Sequence, residues 1–165
     1  MRRAFLAAVA LLTLGSGTIV GAQVLRLPIP RIGPRGQPPP PPVTIEMLQA
    51  DLVARSGSDT VYFAGSGHGI DAGGQATLVA QARWLLANPA IRVRIEGHAD
   101  ELSPRDFALA IGERRADAVR NFLILQGVPA AQLTIISWGK ERPVGSGTSP
   151  MTLALNRRAK TVLMR

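Results

Sequence analysis

At 165 residues the chain has room for one globular domain of ordinary size and not for two. It contains no cysteine, which excludes disulfides, a thiolate zinc site, a cysteine nucleophile and a lipidated N-terminal cysteine. The formal charge of +8 is mostly arginine, but aromatics are only 4% and no Lys/Arg run exceeds two residues. Base-stacking platforms are therefore scarce, nucleic acid is not an expected partner, and an acidic polymer outside the cytoplasm explains the basicity at least as well.

Residues 1–22 read as a secretory leader. Arg2-Arg3 precede an apolar stretch from Ala4 to Leu14, and Val20-Gly21-Ala22 supply the small residues of a cleavage site, with Gln23 first in the mature chain. An uncleaved anchor is the rival reading, because no charge intervenes between Arg3 and Arg26 and about 20 apolar residues suffice to cross a bilayer. The threonines, serine and glycines of this span favour cleavage. Residues 23–43 form a proline-rich linker. Its five consecutive prolines lack N–H donors and favour either an extended polyproline II spacer or a disordered tether.

Residues 44–59 are expected to form a short helix and a connector, with Ile45, Leu48 and Leu52 at helical spacing before Ser56-Gly57-Ser58-Asp59. Thr60–Phe63 is a short β-rich run. Gln75–Ala87 carries a helical stripe of Leu78, Ala82 and Leu85 and stops at Asn88-Pro89. Arg92–Glu96 alternates, Val93 and Ile95 on one face against Arg92, Arg94 and Glu96 on the other. A second helix covers about Arg105–Gln126, with Gly127 placed to end it in the left-handed region. Leu133–Trp138 and Arg158–Met164 are the remaining strands, and Trp84, Trp138 and Phe122 are assigned to the core. Strands alternating with helices define an α/β (α+β) sandwich over residues 60–165.

The functional signal is concentrated in IEGHADELSPRDFALAIGERR, residues 95–115. His98, Ala99, Asp100 and Glu101 emerge beyond a strand end, where a rigid scaffold displays binding groups. On the next helix Gly112, Ala116, Val119 and Leu123 form the buried stripe. At about 100° per residue, Arg114 then points to solvent and Arg115 to the edge of the core. One ordered arginine and one strand-end carboxylate suit a ligand that carries both an ammonium and a carboxylate.

These residues also carry a resemblance. GHADE at 97–101, GERRADAV at 112–119, LQGVPAAQL at 125–133, SWGKERP at 137–143 and NRRA at 156–159 resemble, in order and spacing, the OmpA-like peptidoglycan-binding domain family. Within it the likeness is to the peptidoglycan-associated lipoprotein branch, without that branch's lipidation cysteine. The resemblance implies two main helices packed on a mixed β-sheet. It also implies a ligand, the diaminopimelate side chain of the peptidoglycan stem peptide, with Asp100 accepting from its ammonium and Arg115 holding its carboxylate bidentately. His98, Glu101 and Arg157 are expected as lesser contributors. The chain departs from the family where Ala108 replaces an asparagine, where Ala64-Gly65-Ser66-Gly67-His68 follows Tyr62-Phe63, and where Ser103 replaces a loop glycine; Arg105 adds a charge at the site's mouth.

Simpler roles compete. Asp100 caps a loop, or Arg115 lies over apolar surface. His98 next to Asp100 and Glu101 resembles a metal cluster, with His68 a possible further ligand, but no His-x-x-x-His helix or third convergent ligand is visible, so neither metal nor cofactor is expected. Asp100, Glu101 and Asp106 show no sign of the opposed, tuned pair that a glycan hydrolase needs. Of Arg157 and Arg158, one is expected at the site and the other in a structural role, on opposite sides of the sheet. The sequence thus describes a non-catalytic, wall-anchoring protein of a Gram-negative periplasm or outer membrane, attached through its N-terminus to a membrane or an envelope protein. The alternative is a protein-interaction adaptor of the same fold with weakened or lost wall binding.

Overall fold

Strand β2 (Arg92–His98) sits at the centre of the sheet, and its alternation is the one expected: Val93 and Ile95 are fully buried against helices, while Arg94 and Glu96 pair on the opposite face at 2.6 Å. The computed structural model describes residues 42–164, so the leader and nearly all of the proline-rich linker lie outside the described residues. Preceding β2 are α1 (Ile45–Ser56), β1 (Thr60–Tyr62) and α2 (Ala72–Ala87). After it come α3 (Arg105–Leu125), a 3-10 turn at Ala130–Gln132, β3 (Leu133–Gly139), α4 (Pro150–Asn156) and β4 (Arg158–Met164). The order across the sheet is β1-β4-β2-β3; β2 and β3 run parallel and the other pairs antiparallel. Four helices on a mixed four-stranded sheet make an α+β sandwich.

Leu78, Leu85, Val93, Ile95, Val119 and Leu123 are all 0–1% exposed, forming the core between sheet and helices. Each such burial contributes on the order of 1.5–3 kcal/mol. Helix α1 belongs to the same body: Leu52 is fully buried in this core, and Ile45 and Leu48 pack against it. Thr44 caps its N-terminus by accepting from the Met47 amide. Asp71 does the same for α2 through the Gly74 amide, which starts that helix ahead of the expected Gln75.

Two further features position the site. Gly97 on β2 meets Gly112 on α3 so closely that a Cβ on Gly97 would fall 1.8 Å from the Gly112 carbonyl oxygen. The helix therefore sits directly on the strand, bringing its next inward residues to the strand's C-terminal end. Beyond the three-residue β1, the edge of β4 is covered by Gln49 of α1. Its amide nitrogen donates to the Thr161 carbonyl at 3.0 Å and its oxygen accepts from the Leu163 amide at 2.9 Å, as a paired strand would.

Three expectations change. Pro150–Asn156 is an unforeseen short helix, capped by Ser149 and opened by a proline at its first turn. Arg157 ends that helix instead of sharing the sheet with Arg158, although β4 keeps its expected bounds, Arg158–Met164. Trp84 is 4% exposed and lies in the core, but Trp138 is half-buried on the far face of the sheet, beneath the Arg142 guanidinium.

Candidate functional site

Arg115 is the largest fully buried side chain among the described residues, 1% exposed. The helical stripe expected on α3 is buried as read, and Arg114 is exposed, but Arg115 goes deeper than the edge of the core. Its guanidinium donates through Nε to the Gly67 carbonyl at 3.0 Å, through Nη1 to the His98 carbonyl at 2.7 Å and through Nη2 to the Gly65 carbonyl at 2.7 Å. It also lies 5.3 Å from the centre of the Phe63 ring. A guanidinium has five N–H groups, so one on each terminal nitrogen remains for a ligand. Burial lowers its pKa to about 10, against the opposing pull of the nearby Asp100 carboxylate, and it stays cationic at neutral pH.

Asp100 stands just beyond the end of β2. One carboxylate oxygen accepts from the Leu102 amide at 3.3 Å, which turns the loop. The other meets Arg157 Nη1 at 3.1 Å, in a pair whose side chains are only 13% and 19% exposed. Arg157 is itself anchored, its Nε donating to the Phe63 carbonyl at 3.3 Å. Of the two arginines, Arg157 is thus the one that lies beside Asp100. Arg158 turns the other way, donating to the Arg142 carbonyl on the far face.

Asp100, Arg115 and Arg157 line one pocket of about 250 Å³. Its remaining wall is largely apolar and includes Leu102, Phe107 and Ile111, with Ser66 and Ser103 at its border. Leu102 and Phe107 are 65% and 47% exposed and leave apolar surface at its rim. The pocket can therefore oppose an anion and a cation to a zwitterion while giving an aliphatic chain a wall to lie on. A cleft of about 530 Å³ between α1 and α2 is wider, but its acid, Asp51, is already taken by Arg55 and the Trp84 indole.

The other sequence candidates do not converge here through their side chains. His98 contributes its carbonyl to Arg115, while its imidazole is 2% exposed on the opposite face of the sheet. Burial, aided by the Arg158 charge, holds it neutral with a pKa near about 4. Glu101 is turned outward toward Lys140 at 3.4 Å. Arg105 pairs with Glu141 at 2.9 Å rather than facing the pocket. Ala108 is fully buried beside Ala99 and Ile111. No group of three or more potential metal ligands occurs among the described residues. The role of the Gly65 and Gly67 carbonyls was not foreseen, although two glycines, two and four residues after the aromatic pair, are a signal for close backbone approach.

The fold and site define a class: a small α+β domain that displays a charge-paired pocket at the end of its central strand. Residues 62–158 match the OmpA family, and the chain belongs to that family. It is similar to the peptidoglycan-associated lipoprotein of Agrobacterium fabrum, 44% identical over 115 residues that make up 70% of this chain and 64% of the relative. The chain thus spans slightly under two thirds of that relative's length. Its structure resembles the crystal structure of the peptidoglycan-associated lipoprotein from Burkholderia pseudomallei, with a TM-score of 0.64 and 37% identity over 66% of this chain and 92% of that one. The C-terminal domain of Helicobacter pylori MotB shares the fold alone, at a TM-score of 0.60 and 19% identity, with 65% and 84% of the two chains covered.

Proposed function

We propose that this protein binds peptidoglycan non-covalently through the pocket of Asp100, Arg115 and Arg157, and that it is a binder rather than an enzyme. The observation that carries the reading is the convergence of one carboxylate and two guanidiniums on a single pocket of about 250 Å³. A diaminopimelate side chain ends in an ammonium and a carboxylate on one carbon. Asp100 accepts from the ammonium, and the free N–H groups of Arg115 and Arg157 take the carboxylate. The methylene stem lies along Leu102, Phe107 and Ile111. Membership of the OmpA family and similarity to proteins named for peptidoglycan association support the same assignment.

In this reading the protein resides in a Gram-negative envelope, in the periplasm at the cell wall or outer membrane. Residues 1–22 direct export or anchor the chain, and the proline-rich stretch carries the domain away from its attachment point. A second reading, a protein-interaction adaptor, is favoured by the exposed Leu102 and Phe107 at the pocket rim, which suit a protein partner as well.

Co-sedimentation with purified sacculi separates the two. The wild type pellets with diaminopimelate-type sacculi, free diaminopimelate competes, and lysine-type sacculi, lacking the distal carboxylate, retain it less. A wild type that stays in the supernatant with both kinds of sacculi refutes wall binding and leaves the adaptor. Release of soluble glycan fragments would refute the non-catalytic assignment.

A further inference from the structure

The sheet face turned away from α2 and α3 takes no part in the pocket. It carries a row of side chains from all four strands. Tyr62 pairs with Arg158, and the step beyond the Gly97–Ala159 pair sets His98 across from Arg158. Trp138 stands between Ser137 and Gly139, the residues that pair with Gly97 and His98. Arg142, from the loop after β3, lies over the Trp138 ring at 3.4 Å from its centre and accepts from Arg158 Nη2 through its carbonyl at 3.0 Å.

His98 and Arg158 are 2% and 7% exposed, yet Arg158 Nη1, Trp138 Nε1 and both ring nitrogens of His98 have no hydrogen-bond partner. Unpaired buried polar atoms occur in five residues among those described, and three of the five stand side by side here. Native proteins leave only a few buried polar atoms unpaired, and a cluster of them calls for a cause. The guanidinium and the indole donate only, while a neutral imidazole donates through one nitrogen and accepts through the other, so donors outnumber acceptors and what the cluster chiefly lacks is an acceptor. The local charge has the matching sign. Among the described residues no ion pair joins Arg142 or Arg158 to an acid: Glu96 on this face is engaged by Arg94 and the neighbouring Lys160 by Asp59.

We propose that Arg158, Trp138 and His98 form an anion site that takes a phosphate group, with the Arg142 side chain as its lid. Donors converging from three strands suit a tetrahedral anion with several acceptor oxygens better than a planar carboxylate, which a single guanidinium fork already satisfies. The loop itself is pinned just past the lid, where the Asn156 side chain accepts from the Val144 amide at 2.8 Å and donates to the Gly145 carbonyl at 2.9 Å. In this proposal the loop stays in place, and the exposed Arg142 guanidinium swings off the indole to admit the phosphate and closes again on it. The site is separate from the wall-binding pocket and stands or falls apart from it.

The chain has two tryptophans, which makes the test direct. In 15N-labelled protein the Trp138 indole N–H should shift saturably on titration with inorganic phosphate at constant ionic strength. The Trp84 indole, bonded to Asp51 at 2.7 Å, serves as internal reference and should stay still. Arg142→Ala, at an exposed position that leaves the fold intact, should weaken binding roughly tenfold or more, as expected for one charge-assisted contact. Asp100→Asn should leave it unchanged. Vesicles of phosphatidylglycerol, set against phosphatidylcholine, identify the source: a response to the former points to a lipid headgroup, and a response to phosphate alone to a soluble ligand. No movement of the Trp138 signal with any of these probes, equal movement with chloride, or movement of both indoles together would overturn the proposal.

Discussion

Arg115→Lys should unfold the domain more readily before it says anything about ligand binding. The arginine holds three backbone carbonyls, at Gly65, Gly67 and His98, and ties the 64–67 loop to the end of β2. A lysine ammonium is a point donor on a flexible stem and can serve about one of the three. Two charge-assisted bonds are then lost, at about 1.5–3 kcal/mol each, and two carbonyls are left short of a donor. Water entering the smaller side chain's space offsets part of this, so a loss of about 3–5 kcal/mol is expected. With a urea slope of about 1–3 kcal/mol/M, the midpoint should fall by at least about 1 M with the slope itself unchanged. Sacculus pelleting measured well below that midpoint should fall as well. A variant that unfolds within about 0.5 kcal/mol of wild type, while losing wall binding, would refute the clamp and make Arg115 a ligand arm only.

Asp100→Asn should leave the fold largely intact, since the amide oxygen still accepts from the Leu102 amide, but should weaken retention on sacculi by about tenfold to a hundredfold, read by pelleting isotherms. Gly97→Ala should lower the melting temperature by about 5 °C or more, because the new Cβ collides with the Gly112 carbonyl and must drive α3 off the strand; an unchanged melt would show that the helix yields freely. The buried His98 gives a pH dependence whose sign is fixed. Its folded pKa of about 4 lies below the ordinary value of 6.5, so between those limits the unfolded chain binds the extra proton and stability falls as pH falls. The contribution is at most about 3 kcal/mol across that window. His98→Phe should flatten that part of the stability profile in urea titrations, and an identical slope in both proteins would rule the imidazole out as its source.

Much of this was legible because β2 and α3 each repeat one pattern cleanly. Val93 and Ile95 set the parity of the strand, and Gly112, Ala116, Val119 and Leu123 set the buried face of the helix. Together they place Asp100 and Arg115 at one end of the sheet. The same parity, carried two residues further, already puts His98 with Arg94 and Glu96 on the far face; proximity in sequence to Asp100 masked it. For Trp138 no such signal exists, since Ile135 and Ile136 make β3 apolar on both sides. Helix α4, at 7 residues, is only about two turns long and lacks a repeat, although Ser149-Pro150 is a sound helix-start signal. The clamp around Arg115 was illegible for a different reason. Its acceptors are backbone carbonyls of an aperiodic loop, and side-chain identity says little about where a carbonyl points. The partner of Asp100 was legible only as a choice between Arg157 and Arg158, because it lies 57 residues away in the chain.

The Gln49 amide that completes the β4 edge has a practical consequence for anyone trimming the protein. The family match begins at residue 62, after α1 has ended. A fragment cut there keeps the pocket but strips the surrogate strand from Thr161 to Leu163, leaving free donors and acceptors beside Val162 and Leu163. Such a raw edge is adhesive toward other copies, and the shortened protein should self-associate where the longer one does not.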